Sequence, residues 1–221
     1  MPSAISVLYE DDALMVFDKP SGVLVIPSPG QEKNTLSHLV NQLYASKDNT
    51  WKLHPCHRLD RDTSGCIIFA KGKHNQQLMM REFQKLDVQK KYIALIHGRL
   101  KKQSGEIRAL IQDQEQKRFQ SKSPPKLAIT RYKVLQIRKK YSIVEVFPIT
   151  GRTNQIRIQF SQIGCPLVGE RKYAFARDYA LKFRRTALHA ESLRWNHPIS
   201  HKPIEVTSPL PKDMEVFIAR N

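Results

Sequence analysis

Apolar residues in this chain come in short bursts set off by charged or turn-forming residues, and their spacing alternates between strand and helix periods. Ile5–Tyr9 and Ala13–Phe17 flank Glu10-Asp11-Asp12, which predicts a strand, a turn and a strand. Lys19-Pro20-Ser21-Gly22 then turns the chain into Val23–Ile26. Leu36, Leu39, Val40 and Leu43 fall at i, i+3, i+4 and i+7, so an amphipathic helix is expected there with Asn34 as its cap. Cys66–Ala70 reads as a buried strand, followed by a helix over 75–86 and a strand over 91–96. Tyr132, Val134 and Ile137 lie on an interrupted strand pattern, and Ile143, Val144, Val146 and Phe147 on another. Ile156, Phe160 and Ile163 stand at helical spacing between Thr153 and Gly164, which predicts a short helix. Leu188–Trp195 and Ile204–Val206 read as late strands, and 211–218 as a closing helix.

Strands follow one another here without a regular helical crossover, so the expected class is α+β, with a mixed and mostly antiparallel sheet flanked by helices and loops. At 221 residues one well-filled core is expected, and the whole chain, 1–221, is read as a single domain. The segment Lys117-Arg118-Phe119-Gln120-Ser121-Lys122-Ser123-Pro124-Pro125-Lys126 is different in kind. It is basic, lacks periodicity and contains Pro-Pro, which predicts a mobile loop able to order on nucleic acid, with Lys117, Arg118, Lys122 and Lys126 as its contacts. A plain surface loop has the same composition.

Charge adds a partner class. The net charge is +17, and it is uneven: residues 1–50 hold three Lys against six Asp or Glu, so the excess lies in 51–221. Such an excess favours a polyanion by releasing its condensed counterions. No stretch approaches the run of apolar residues that a membrane span needs, and the N-terminus shows no export signal, so no membrane association and a cytoplasmic location are expected. Cys56, Cys66 and Cys165 form no C-x-x-C pair, and the eight histidines are scattered, so neither a disulfide framework nor a metal site is expected.

The densest chemistry is His57-Arg58-Leu59-Asp60-Arg61-Asp62-Thr63-Ser64-Gly65, just before an apolar strand. A strand can hold such a loop rigid while its polar side chains face a cleft, although structural turns use the same residue types.

His57-Arg58-Leu59-Asp60, then Thr63-Ser64-Gly65, resembles the H-R-L-D-x-x-T-S-G signature of the RluA-type pseudouridine synthases, which modify ribosomal and transfer RNA. Lys91–Gly98 resembles the family's K-x-Y-x-A strand, Pro148–Arg157 its P-x-T-G-R-T-H-Q-I-R stretch, and Leu188-His189-Ala190 with His197-Pro198 its late L-H-A and H-P pair. The resemblance runs from about Lys19-Pro20 to the final helix. It implies the pseudouridine synthase catalytic fold, acting as a monomer on structured RNA without cofactor or metal, in a form with no N-terminal S4 module.

Roles follow from the same resemblance. Asp60 matches the family's essential aspartate, which acts on the ribose side of the target so that the base detaches, rotates and rejoins through carbon 5. Arg157 matches an arginine that pairs with that aspartate, and Tyr92 a tyrosine that stacks on the uracil and is placed to take the carbon 5 proton. Arg58 matches an arginine that enters the gap left by the flipped nucleotide, with Arg61 and Arg152 as further RNA contacts. Read without the resemblance, Tyr92 is equally a core residue of its strand, and Arg58 and Arg157 ordinary ion-pair partners.

The chain also departs from the family pattern. Asn154 stands where His is usual in G-R-T-H-Q, Gln159 replaces another common His, and Cys165-Pro166-Leu167-Val168-Gly169-Glu170 replaces H-P-I-x-G-D. These changes bear on helix packing and substrate choice, and leave Asp60, Tyr92 and Arg157 in place. Two other readings use the same residues: a binding-only ribosome-assembly protein, and a nuclease holding a divalent ion on Asp60 and Asp62. The nuclease has no convincing third carboxylate.

Overall fold

The computed structural model describes residues 5–27, 34–45, 51–112, 124–174 and 181–221. The chain passes through β1 (Ser6–Glu10), β2 (Leu14–Lys19), α1 (Leu36–Leu43), β3 (Leu53–Pro55), β4 (Ser64–Lys71), α2 (Lys73–Gln84) and β5 (Gln89–His97). It continues through β6 (Ser104–Ile111), β7 (Lys126–Ile137), β8 (Tyr141–Pro148), α3 (Gln155–Gln162), β9 (Leu188–Asn196), β10 (Pro203–Thr207) and α4 (Lys212–Arg220). These elements fall into two compact units, one built from Met1–Gln89 and His189–Ala219, the other from Lys90–Leu188 with the last two residues.

In the first unit the strands lie in the order β1-β2-β4-β9, with β3 also on β4 and β10 on β9. All these pairs are antiparallel except β4 with β9, so the sheet is mixed and mostly antiparallel, as the strand succession predicts. The β1–β2 turn forms because the Asp11 carboxylate accepts the Ala13 and Leu14 N–H groups at 2.8 and 2.7 Å. Strand β4 is buried from Ser64 to Ala70, which is why its sequence is a continuous apolar run instead of an alternating one. Its Ile68 packs with Leu14, Val16, Met79 of α2, Leu193 and Trp195.

The helix α1 is capped by Thr35, not by Asn34: the Thr35 hydroxyl accepts the His38 N–H at 3.3 Å, whereas Asn34 is exposed. The Val23–Ile26 run has a specific use. Carbonyls of Leu24 and Val25 accept the Leu36 and Ser37 N–H groups at 2.7 and 3.0 Å, serving donors at the helix start that have no partner inside the helix.

The second unit is an antiparallel succession β5-β8-β7-β6. Strand β6 and the three-residue β3 escape the apolar pattern. In β6 only Ile107 and Ile111 are buried while Leu110 is exposed, so its register with β7 defines it more than its side chains do. That register corrects one expectation. Lys126 is not in a loop; it opens β7 opposite Ile111. Lys117, Arg118 and Lys122 lie outside the described residues. The Pro166–Val168 stretch is hydrogen-bonded to β5: the Val168 N–H donates to the Leu95 carbonyl at 2.8 Å, and the His97 backbone N–H to that of Pro166 at 2.8 Å.

Candidate active site

The two units carry different parts of the expected set. Arg58, Asp60 and Arg61 share one loop of the first unit; Tyr92, Lys126, Arg152 and Arg157 belong to the second.

In the loop, Leu59 is buried while Asp60 is half-buried and Arg58 and Arg61 are exposed, so Leu59 anchors the loop in the core and leaves its polar side chains toward the surface. Both ends of the loop are tied down. His57 accepts the Ile68 N–H on Nε2 at 3.0 Å, and its ring lies 4.8 Å from that of Phe83 on α2. The Gly22 N–H donates to the Arg61 carbonyl at 2.8 Å and the Thr63 N–H to that of Asp60 at 3.2 Å. Behind them sits Lys19, with no solvent exposure, whose Nζ donates to the carbonyls of Pro20, Arg61 and Thr63, each at 2.9 Å.

A buried ammonium is tolerated only when its donors are met. Here three carbonyls meet them, and two of these follow Asp60 within three residues. Lys19→Met keeps the volume but withdraws the donors from those carbonyls, so unfolding stability is expected to fall by about 3 kcal/mol. Urea denaturation measures this, and an unchanged midpoint would show that the clamp contributes nothing.

Where the loop enters β4, Ser64 Oγ donates to His189 Nδ1 at 3.0 Å. His189 is fully buried, and its Nε2 faces the Ser208 carbonyl at 3.2 Å, which requires the proton on Nε2 and leaves Nδ1 to accept. Ser208 Oγ in turn donates to Asp18 at 2.9 Å. The L-H-A histidine therefore braces the strand that carries the loop.

In the second unit Tyr92 is a buried residue of β5, opposite Val146. Lys90 lies two positions earlier, hence on the same strand face. Burial brings its ammonium pKa down to about 8, and its Nζ reaches the Thr150 carbonyl at 3.5 Å.

The turn before α3 is organised by Gln155. Its Oε1 accepts from the Arg152 N–H at 3.0 Å and Thr150 Oγ1 at 2.7 Å, while its Nε2 donates to the Ile129 carbonyl and Thr130 Oγ1 at 3.0 and 2.8 Å. Arg152 is exposed, and its Nε donates to the Leu127 carbonyl at 3.2 Å. Gln159, also fully buried, donates to the carbonyls of Ile107 and Ala128 at 3.1 and 3.0 Å and accepts from Thr130. An amide can supply both donors from one nitrogen, which neutral imidazole cannot. The substitution thus fastens α3 to β6 and β7.

Arg157 projects from α3 into a fork. Its Nε donates to Glu170 Oε2 at 2.7 Å, its Nη2 to Oε1 at 2.8 Å, and its Nη1 to Asn154 Oδ1 at 3.0 Å. Burial alone raises the Glu170 carboxyl pKa, but the Arg157 hydrogen bonds and charge, with the Lys172 and Tyr173 N–H groups, outweigh it and hold the group below the ordinary carboxylate range.

Positions 13–162 match the family described as RNA pseudouridylate synthase. The chain belongs to that family. RNA pseudouridylate synthases similar to it include YhcT of Bacillus subtilis, named as an uncharacterized RNA pseudouridine synthase, which is 32% identical over 215 residues covering 96% of this chain and 70% of that protein. The dual-specificity RNA pseudouridine synthase RluA of Vibrio cholerae is 33% identical over 201 residues, 89% of this chain and 79% of that one. Among solved structures, human RNA pseudouridylate synthase domain containing 1 is 26% identical with a TM-score of 0.74, covering 93% of this chain and 83% of that one.

The chain is thus an RluA-type RNA pseudouridine synthase, an isomerase acting on RNA uridines. Among the described residues no helix is long and apolar enough to cross a membrane. Burial pushes the Cys56 and Cys66 thiols up to about 12, which leaves them protonated and unreactive near neutral pH.

Sequence reasoning passed over Lys19 as a clamp, Gln155 as an organiser, and Glu170 as the partner of Arg157. Each had a visible signal, a polar residue inside or next to an otherwise motif-bearing segment, but none had a visible partner.

Proposed function

We propose that this synthase isomerises specific uridines of structured ribosomal or transfer RNA after flipping them from the helix, with Asp60 as the catalytic carboxylate. The observation that carries the reading is the way the Asp60 loop is held. A half-buried carboxylate stands on a loop whose neighbouring carbonyls are gripped by a buried lysine and whose following strand is sealed in the core. Such a loop presents a reactive group in one direction without reorganisation at the moment of reaction.

Asp60 acts on the ribose side of the uridine, Tyr92 stacks on the uracil and receives the carbon 5 proton, and Arg157 pairs with the Asp60 carboxylate and keeps it ionised. Arg58 takes the space the base vacates, while Arg61, Arg152, Lys126 and the basic segment 117–122 meet phosphates. A ribosomal target is favoured by a similar protein of Xanthomonas campestris, 32% identical over 227 residues and named ribosomal large subunit pseudouridine synthase D. The protein works in the cytoplasm, as a monomer, and needs neither metal nor cofactor.

The test uses cellular RNA lacking these modifications and tritiated at uracil carbon 5. The protein is expected to release tritium equally with and without EDTA, and pseudouridine mapping in cells with and without the gene then gives the sites. Metal-dependent strand cutting in place of release would overturn the reading.

A further inference from the structure

Two of the departures from the family pattern, Asn154 and Glu170, lie sixteen positions apart in sequence and meet on one guanidinium. We propose that they form a matched cradle, completed by Tyr173, that aims Arg157 and thereby sets the rate of isomerisation. This rests on the reading that Arg157 serves Asp60.

The Glu170 side chain is wholly enclosed, and that of Arg157 is 14% exposed. Besides the two-pronged contact with Arg157, Glu170 Oε1 accepts the N–H groups of Arg171, Lys172 and Tyr173 at 3.1, 2.8 and 3.2 Å. The carboxylate is therefore fixed by backbone on one side and holds the guanidinium on the other. Its own position is set at Gly169, which has φ +79 and where a Cβ would lie 2.0 Å from the Arg185 carbonyl oxygen.

Asn154 closes the opposite side. It precedes α3 in the left-handed region, φ 54 and ψ 24, which Asn tolerates better than most residues. In that conformation its Oδ1 accepts from Arg157 Nη1, and its Nδ2 donates to the Tyr173 hydroxyl at 2.9 Å. The Tyr173 ring lies 5.3 Å from the guanidinium carbon, a cation–π distance. Three of the five guanidinium N–H groups thus point into the cradle.

Glu is one methylene longer than the usual Asp, and Asn is shorter than the usual His. Changing the reach on one side of a planar fork tilts it unless the other side changes too. The two departures therefore compensate each other, and Glu170 and Asn154 are positioning residues.

The experiment measures kcat and KM by tritium release for Glu170→Gln, Glu170→Asp, Asn154→His, the Glu170→Asp/Asn154→His double variant, and Arg157→Lys, each checked for folding by circular dichroism. Each single cradle variant is expected to lower kcat by about 10- to 100-fold with KM nearly unchanged, because a misaimed group costs rate more than binding. The double variant is expected to recover most of that loss. Folded cradle variants with wild-type kcat, or a double variant that merely adds the two losses, overturn the cradle. If Arg157→Lys itself leaves kcat unchanged, the role of Arg157 fails, and the cradle with it. If Arg157→Lys is slow while the folded cradle variants are normal, only the cradle fails.

Discussion

Asp60→Asn is expected to abolish tritium release, lowering the single-turnover rate by at least about 10³-fold, or ~4 kcal/mol of transition-state stabilisation. The change keeps the shape of the side chain and removes only its charge and basicity. The loop should survive it, because Lys19, Gly22 and Thr63 hold the backbone around Asp60 through carbonyl and N–H groups that the substitution does not touch. Thermal unfolding is therefore expected within about 2 °C of wild type, as for a partly exposed change outside the core. Activity within tenfold of wild type would remove Asp60 from the chemistry. A collapsed melting temperature would mean that its carboxylate holds the fold, and an uncharged variant with its side-chain bonds restored would then be needed to read the chemistry.

Gly65→Ala is expected to be severely destabilising although it adds a single methyl group. Gly65 has φ +109, where an L side chain is strained, and a Cβ there would lie 2.2 Å from the Ala190 carbonyl oxygen and 2.7 Å from its carbon. The obstruction is backbone, which cannot swing aside as a side chain could. Gly65 also belongs to the parallel β4–β9 pairing, with Ser64 opposite His189 and Gly65 opposite Ala190, so pushing the strands apart would undo the Ser64–His189 brace as well. A loss of about 3–5 kcal/mol follows from strain and overpacking together. For a chain of this size that corresponds to roughly 10 °C in Tm. Gly22→Ala is the control: it has φ +86 but nothing within 4 Å of a Cβ, so only the backbone cost of about 1–2 kcal/mol remains. Equal Tm losses for the two would show that the approach of Ala190 is not what makes Gly65 necessary.

Much of the architecture was legible because burial demands a repeating pattern. The β4 run, the i, i+3, i+4 set of α1 (Leu36, Leu39, Val40) and the paired apolar bursts of β1 and β2 have to be apolar where they meet the core, and that requirement is written along the chain, although the i+7 residue Leu43 ends exposed. The motif around Asp60 was legible for a different reason: its residues are consecutive, so their chemistry is visible without knowing the fold. What escaped were features whose meaning lies in a partner elsewhere. Strand β6 carries Glu106 and Arg108 on either side of its buried Ile107, and only hydrogen bonding to β7 makes it a strand. Lys126 follows two prolines and looks like loop, yet the same register places it in a sheet. Choosing Thr35 over Asn34 as the α1 cap required knowing which side chain meets the His38 N–H.

By itself, the sequence determined the order and type of the main elements, the basic character that suits RNA, and the family motifs with Asp60, Tyr92 and Arg157 at their positions. The tertiary structure alone decided what holds them. The Lys19 ammonium reaches Thr63 across 44 positions, Ser64 meets His189 across 125, and Arg157 turns to Glu170 and Asn154 from opposite sides. Hydrogen bonds of this kind depend on direction and on distances of about 3 Å. Hydrophobic burial depends on neither, so it leaves a periodic trace in the chain where a single distant donor leaves none.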